Sequence, residues 1–157
     1  LVLPKISASA IRKGLSKAFI PGRLEIVSRN PLVVMDGAHN PAGAKALSTA
    51  VKLFPHKKLI VVYGAMRDKD IGGFLREIAP KADLLVLNQP RLERALPLAE
   101  LTRIARRYAK DIKPIKGVKE SVRFAKREAG KRGLVLVTGS LYMVAEARGK
   151  DRMGISQ

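Results

Sequence analysis

The sequence contains no cysteine and no tryptophan, and aromatic residues make up only 4% of its 157 positions. The absence of cysteine excludes disulfide bonds, thiolate metal ligands and a cysteine nucleophile. The scarcity of aromatic rings leaves few side chains on which nucleic-acid bases could stack. Acidic residues are also scarce, since 13 Asp and Glu stand against 31 Lys and Arg and leave a net charge of +18.

Long hydrophobic runs are missing as well. The longest apolar stretches, Leu59–Tyr63 and Leu134–Val137, are far too short to cross a bilayer. The first residues show no extended apolar segment of the signal-peptide type, so we predict no membrane association and a cytoplasmic location. With 46% hydrophobic residues, the chain is expected to form one domain with a substantial core.

The excess of positive charge favours anionic partners, among which nucleic acid is the commonest. Residues 91–132 hold 14 basic and 5 acidic residues, many of them on the expected polar faces of helices. Basic residues at helical spacing more often form a solvated face than a docking surface. Any binding of nucleic acid is therefore expected to be non-specific, through phosphates, and sensitive to salt.

Apolar runs of strand length alternate along the chain with segments of helical periodicity. Strands are predicted at residues 24–27, 31–36, 59–63, 84–87, 112–115 and 134–138, and helices at 7–18, 41–54, 71–78, 97–108, 118–129 and 141–147. This alternation is typical of an α/β fold with a three-layer, mostly parallel, Rossmann-like sheet. The short turn predicted at residues 28–30 makes the first two strands antiparallel, so one edge strand is antiparallel.

Polar residues follow three of the predicted strands. The first such turn runs from Asp36 to Pro41, in which Asn40 is a favoured N-cap and proline suits the first helical position. The second contains Asp68–Asp70, and the third runs from Thr138 to Tyr142. Because the carboxyl ends of parallel strands meet at one edge, we expect these turns to form a ligand-binding edge whose helix N-termini favour anions.

Other chemical motifs are absent from the sequence. It contains neither the Gly-x-x-x-x-Gly-Lys-[Ser/Thr] phosphate-binding loop nor the Gly-x-Gly-x-x-Gly turn of dinucleotide-binding proteins. The only histidines are His39 and His56, so neither a metal cluster nor a catalytic triad can be assembled; His56 follows Pro55 and is expected at the surface. The residues by themselves indicate half of an active site.

Four segments together resemble the C-terminal domain of the Mur ligase superfamily, and specifically that of folylpolyglutamate synthase/dihydrofolate synthase. They are Pro21–Glu25, Asp36–Pro41, Asp68–Asp70 and Thr138–Tyr142, which occur in the family's order and at about its spacing. The pairing of Pro-Gly-Arg with Asp-Gly-Ala-His-Asn-Pro is much more specific than any one segment. Ile20 departs from the family, which often has tryptophan before Pro-Gly-Arg.

This resemblance implies an enzyme that uses ATP to form an acyl phosphate and then adds L-glutamate to a folate or to dihydropteroate. In the family, the P-loop, the Mg²⁺ ligands and most of the folate site lie in a preceding N-terminal domain. Residues 1–20 would form an interdomain helix and linker, residues 21–148 the C-terminal domain, and residues 149–157 a flexible tail. The chain alone is expected to be inactive, with no catalytic residue and no metal ligand of its own.

The resemblance also implies roles for single residues. Arg23 and Asp36 are expected to contact ATP, the arginine through phosphate or base and the carboxylate through ribose hydroxyls. The residues expected to bind glutamate are His39, Asn40, Ser140 and Tyr142, with Asp68 and Lys69 as possible additions. Lys69 could equally be a surface charge. Side chains at this edge are expected to contribute little to the stability of the core.

Two alternatives stay open from the sequence. The chain could be the corresponding domain of another amide ligase of the superfamily, of the cyanophycin or peptidoglycan type. It could also be a stand-alone basic α/β module that binds nucleic acid, which the charge favours. The polar edge near helix caps favours the ligase, and the Asp-Gly-Ala-His-Asn motif favours folate chemistry.

Overall fold

The computed structural model describes residues 6–148, so the predicted tail at residues 149–157 lies outside the described residues. The strands are β1 (Glu25–Arg29), β2 (Leu32–Asp36), β3 (Leu59–Tyr63), β4 (Leu84–Leu87), β5 (Ile112–Pro114) and β6 (Leu134–Thr138). The α-helices are α1 (Ala8–Lys17), α2 (Pro41–Ala50), α3 (Ile71–Ile78), α4 (Leu98–Ala105), α5 (Val118–Ala129) and α6 (Leu141–Arg148). Short 3₁₀ helices at Val51–Leu53 and Ala79–Lys81 extend α2 and α3.

The six strands form one sheet in the order β1-β2-β6-β3-β4-β5. β1 pairs with β2 in antiparallel orientation, and every other neighbouring pair is parallel. This confirms the predicted mostly parallel sheet with one antiparallel edge strand. The predicted turn at residues 28–30 was too long, because β1 continues through Arg29 with an irregular register between Ile26 and Ser28.

Helices cover both faces of the sheet, which gives the predicted three layers. On β3, Leu59, Val61 and Tyr63 pack with buried side chains of α2, α3 and α4, whereas Ile60 and Val62 pack with those of α5 and α6. Successive strand residues point to opposite faces, so a continuous apolar run serves two cores.

The centre of the first core is a pair of stacked rings, Tyr63 and Phe74, whose centroids are 4.6 Å apart. Burial raises the pKa of the Tyr63 hydroxyl far above its usual value, and the nearby Asp70 carboxylate raises it further.

Helices α2 and α4 end earlier than predicted, because the α-helical hydrogen-bond pattern changes to a 3₁₀ pattern in the last turn. α2 gives way to a 3₁₀ turn after Ala50, and α4 ends at Ala105 rather than residue 108. Beyond Ala105, the N–H groups of Arg107 and Tyr108 donate to carbonyls three residues back. Such bonds satisfy carbonyls that a regular α-helix end leaves unpaired.

Helix α1 stands apart from the two cores. Ser7 caps it by accepting a hydrogen bond from the Ala10 N–H, as helix-starting serines do. Its predicted apolar face is exposed, with 49% of Ile11 and 70% of Leu15 accessible to solvent. The predicted boundary after residue 20 stays a prediction. None of the helices in the described residues is long and apolar enough to span a membrane.

Candidate functional site

The three polar turns meet at the carboxyl edge of the sheet, as predicted, because β2, β6 and β3 are neighbours. The Gly139 N–H donates to the Ala38 carbonyl at 3.0 Å, and the Thr138 hydroxyl donates to the same oxygen at 3.3 Å. Gly139 has φ +127°, and a Cβ there would overlap the carbonyl oxygen of Gly64. Glycine is therefore required by both the backbone angle and the close approach of two turns.

A fourth turn, residues 88–97 after β4, joins this edge and was missed in the sequence. The Leu96 N–H donates to the Ala65 carbonyl at 2.9 Å, and the Arg67 N–H donates to the Arg94 carbonyl at 3.0 Å. These bonds hold the Arg94 guanidinium 5.2 Å from the centre of the Tyr142 ring. The sequence did contain a signal for this turn, because it follows a buried strand as the three predicted turns do.

Four predicted site residues line one cavity of about 410 Å³: Arg23, Asp36, His39 and Asn40. Side chains along one face of α2, among them Ala46, Leu47 and Ala50, supply its apolar wall. The cavity thus combines residues predicted for ATP with residues predicted for glutamate.

Asp36 is largely buried, with 8% of its surface exposed, and both of its carboxylate oxygens accept backbone hydrogen bonds. One accepts the Leu24 N–H at 2.9 Å and the other the Ala38 N–H at 2.8 Å. Leu24 has φ +46°, an uncommon angle for a residue with a side chain. Asp36 therefore joins the Pro-Gly-Arg loop to the end of β2, so we now expect this residue, unlike other side chains at the edge, to contribute to stability.

The two neighbouring polar residues are each tied to the backbone by one atom. His39 Nδ1 lies 2.9 Å from the Gly37 carbonyl oxygen, so this nitrogen carries the donated proton, and Nε2 has no hydrogen-bond partner among residues 6–148. Asn40 Oδ1 accepts the Gly43 N–H at 2.8 Å and caps α2, and its NH₂ group has no acceptor in the described part of the chain. Both residues keep one polar atom available for a ligand.

Ser140 and Tyr142 lie beyond the Ala38–Gly139 contact and do not line the cavity. Ser140 is 6% exposed, and its hydroxyl oxygen accepts the Met143 N–H at 3.0 Å, which makes it the predicted cap of α6. Tyr142 is 57% exposed. The structure therefore divides the predicted glutamate residues into two pairs.

Lys69 and Asp68 bind each other, with 2.7 Å between the ammonium nitrogen and a carboxylate oxygen. The hydrogen bond from Lys69 lowers the pKa of Asp68. This pairing favours the surface-charge interpretation of Lys69.

The second histidine is not a simple surface residue. His56 is partly buried, and its Nδ1 lies 2.6 Å from the Phe54 carbonyl oxygen. Among residues 6–148, no group of three or more His, Asp and Glu side chains is placed to hold a metal ion.

Residues 22–141 match the family model described as Mur ligase, glutamate ligase domain. A Halobacterium salinarum protein named "Probable bifunctional folylpolyglutamate synthase/dihydropteroate synthase" is 38% identical over 144 residues, which are 91% of this chain and 18% of that protein. The chain therefore spans less than a fifth of that relative.

Solved structures agree with this match. Mycobacterium tuberculosis folylpolyglutamate synthase complexed with ADP and AMPPCP superimposes with a TM-score of 0.83 at 28% identity, over 92% of this chain and 35% of that one. A bifunctional folylpolyglutamate synthase/dihydrofolate synthase with Mn, AMPPNP and L-glutamate bound gives 0.80 at 30% identity, over 89% of this chain and 34% of that one.

Proposed function

The chain belongs to the family of Mur ligase glutamate ligase domains, and from this premise we propose that it is the C-terminal domain of an ATP-dependent ligase that adds L-glutamate to a folate or to dihydropteroate. The observation that carries the proposal is the single cavity in which the Pro-Gly-Arg and Asp-Gly-Ala-His-Asn-Pro motifs place four polar side chains. The named relatives and the ADP, AMPPNP and glutamate complexes support the same chemistry.

We propose that Arg23 and Asp36 contact ATP. The chemical groups that line the cavity suit a nucleotide, because a guanidinium and a carboxylate lie beside an apolar wall along α2. Arg23 takes part in none of the salt bridges found among residues 6–148, so its charge is available for phosphate or base. Asp36 already accepts two backbone hydrogen bonds, and its remaining lone pairs would face ribose hydroxyls.

We propose that glutamate is held by His39 and Asn40 on one side and by Ser140 and Tyr142 on the other. The Ala38–Gly139 contact lies between these two pairs, at the N-termini of α2 and α6. Free peptide N–H groups at helix starts favour carboxylates. Asp68 and Lys69 stay possible additions to this set.

The remaining parts of the enzyme would lie in a preceding P-loop domain, with residues 1–20 as the link to it and residues 21–148 as the C-terminal domain. The exposed apolar face of α1 agrees with such a position. Mg²⁺ would neutralise phosphate charge when bound. Since the described residues offer no cluster of metal-ligating side chains, we assign its ligands to that other domain. A cytoplasmic location is part of the same proposal.

The two alternative functions are not favoured. The relatives reported above are named as folylpolyglutamate synthases, and those names favour folate over other superfamily substrates. The positive charge, which motivated a stand-alone nucleic-acid-binding module, receives no support from these relatives.

The test uses the chain joined to the P-loop domain that we propose precedes it, with glutamate-dependent phosphate release as the assay. Arg23→Gln removes a charged hydrogen-bond donor, a loss of roughly 1.5–3 kcal/mol, so the KM for ATP should rise about ten- to a hundredfold. Arg23 is chosen because replacing Asp36 would also damage the loop.

The matched control is Arg29→Gln, which removes the same charge from an exposed position at the end of β1. It should leave the KM unchanged. The proposal fails if no acceptor supports glutamate-dependent phosphate release, or if the 157-residue chain catalyses that reaction alone.

A further inference from the structure

A second and larger cavity, of about 630 Å³, lies between α4 and the turn that follows β5. Gln89 connects the two walls of this cavity, which are the start of α4 and the turn after β5. Its side-chain oxygen accepts the Leu98 N–H at 3.2 Å, and its own N–H donates to the Lys116 carbonyl at 3.3 Å. We call this cavity the α4–β5 groove. It opens on the carboxyl side of β4 and β5, two strands away from β6.

The α4–β5 groove is strongly positive. Arg103, Arg106 and Lys116 line it, and no acidic side chain does. None of the three takes part in a salt bridge among residues 6–148. Glu120, three residues after Gly117, is already paired with a neighbouring arginine at 2.8 Å. The groove therefore holds positive charge that the fold does not neutralise.

Apart from Gln89 and Thr102, the rest of the lining is apolar, and it contains no aromatic ring. Pro97, Leu98 and Pro114 form part of it. Single-stranded nucleic acids usually bind by stacking their bases on aromatic side chains, and this lining has none. A chain of glutamates has the matching chemistry, because each amide-linked residue keeps one carboxylate and two methylene groups. Carboxylates suit the arginine forks, and methylenes suit the apolar wall.

The groove extends towards the edge formed by the turns Asp36–Pro41, Asp68–Asp70 and Thr138–Tyr142, which we call the family-motif edge. An adjoining cavity of about 390 Å³ shares Gln89 and Lys116 with it and adds Arg91. The Arg91 N–H donates to the Glu146 carboxylate on α6 at 2.8 Å, one helical turn after Tyr142. Residues 91–94 thus connect the groove to the face of α6 on which we place part of the glutamate site.

We propose that the α4–β5 groove binds the oligoglutamate tail of the folate product. This proposal rests on the proposed function. It adds a binding site for the glutamate tail, which becomes one residue longer with each round of the proposed reaction. Several carboxylates bound by several cations would make affinity rise with the length of the tail. It also gives a use for part of the +18 charge.

The test titrates the 157-residue chain, without ATP, with free glutamate, triglutamate and hexaglutamate at physiological ionic strength, and follows backbone amide NMR shifts. Hexaglutamate should bind saturably, with shifts centred on Gln89 and α4, and free glutamate should not. The double variant Arg103→Gln/Arg106→Gln should bind hexaglutamate about tenfold more weakly, since exposed charge pairs contribute modestly.

The matched control is Arg127→Gln/Arg132→Gln, which removes two exposed charges at the opposite edge of the sheet, where α5 ends and β6 begins. It should bind like the unchanged chain. Equal weakening by both double variants would overturn the proposal, and so would tighter binding of single-stranded RNA of equal charge in the groove. Because this assay needs neither ATP nor catalysis, its failure would leave the ligase proposal intact.

Discussion

The family-motif edge and the α4–β5 groove are both polar, but their side chains are used differently. At the edge, Asp36, Asn40 and Ser140 each accept a hydrogen bond from a backbone N–H. In the groove, Arg103 and Arg106 are exposed and form no salt bridge in the described part of the chain. The comparison shows that residues of a family motif can stabilise a loop as well as contact a ligand. Exposed arginines without such contacts contribute little to the stability of the fold.

The largest effect on stability is expected from Asp36→Ala. The change removes two hydrogen bonds to a buried carboxylate and leaves the Leu24 and Ala38 N–H groups without that acceptor. We expect a loss of about 3–5 kcal/mol in the free energy of unfolding, measured by urea denaturation. Asp68→Ala removes an exposed carboxylate from the same edge and should leave the unfolding midpoint unchanged. Equal midpoints for the two variants would show that Asp36 does not fasten the loop.

A smaller but clear loss is expected from Gly139→Ala. The new Cβ would overlap the Gly64 carbonyl oxygen at a backbone angle that L residues rarely adopt. The free energy of unfolding should fall by about 2–4 kcal/mol. Gly130→Ala provides the control, because its φ is +59° but no atom lies within 4 Å of the added Cβ. If both variants lose the same amount, contact between the two turns contributes nothing and only backbone strain matters.

The smallest effect is expected from Arg103→Gln/Arg106→Gln. Surface substitutions away from structural contacts usually change stability by less than about 0.5 kcal/mol, so thermal and urea unfolding should match those of the unchanged chain. A loss comparable to that of Asp36→Ala would mean that these arginines support the fold, and the contrast between the two regions would disappear.

Much of the secondary structure was predictable because its causes are local. β3, β4, β6, α3 and α5 begin and end where the apolar pattern and the glycine, proline and capping residues predict. The errors fall at ends such as that of α4, where a tightened last turn is set by hydrogen bonds rather than by side-chain pattern.

The sequence by itself determined the order of strands and helices along the chain and the family, because periodicity, caps and motifs depend on residues that are close in the sequence. It also predicted that three polar turns lie at one edge, because the carboxyl ends of parallel strands share an edge. Only the tertiary structure decided how the side chains are used. Asp36 meets a backbone N–H twelve residues away, Arg94 lies over the Tyr142 ring, and Lys69 is paired with Asp68. The α4–β5 groove likewise exists only because Gln89 joins α4 to the turn after β5. Contacts between distant segments depend on how the sheet and helices pack, which no local pattern encodes.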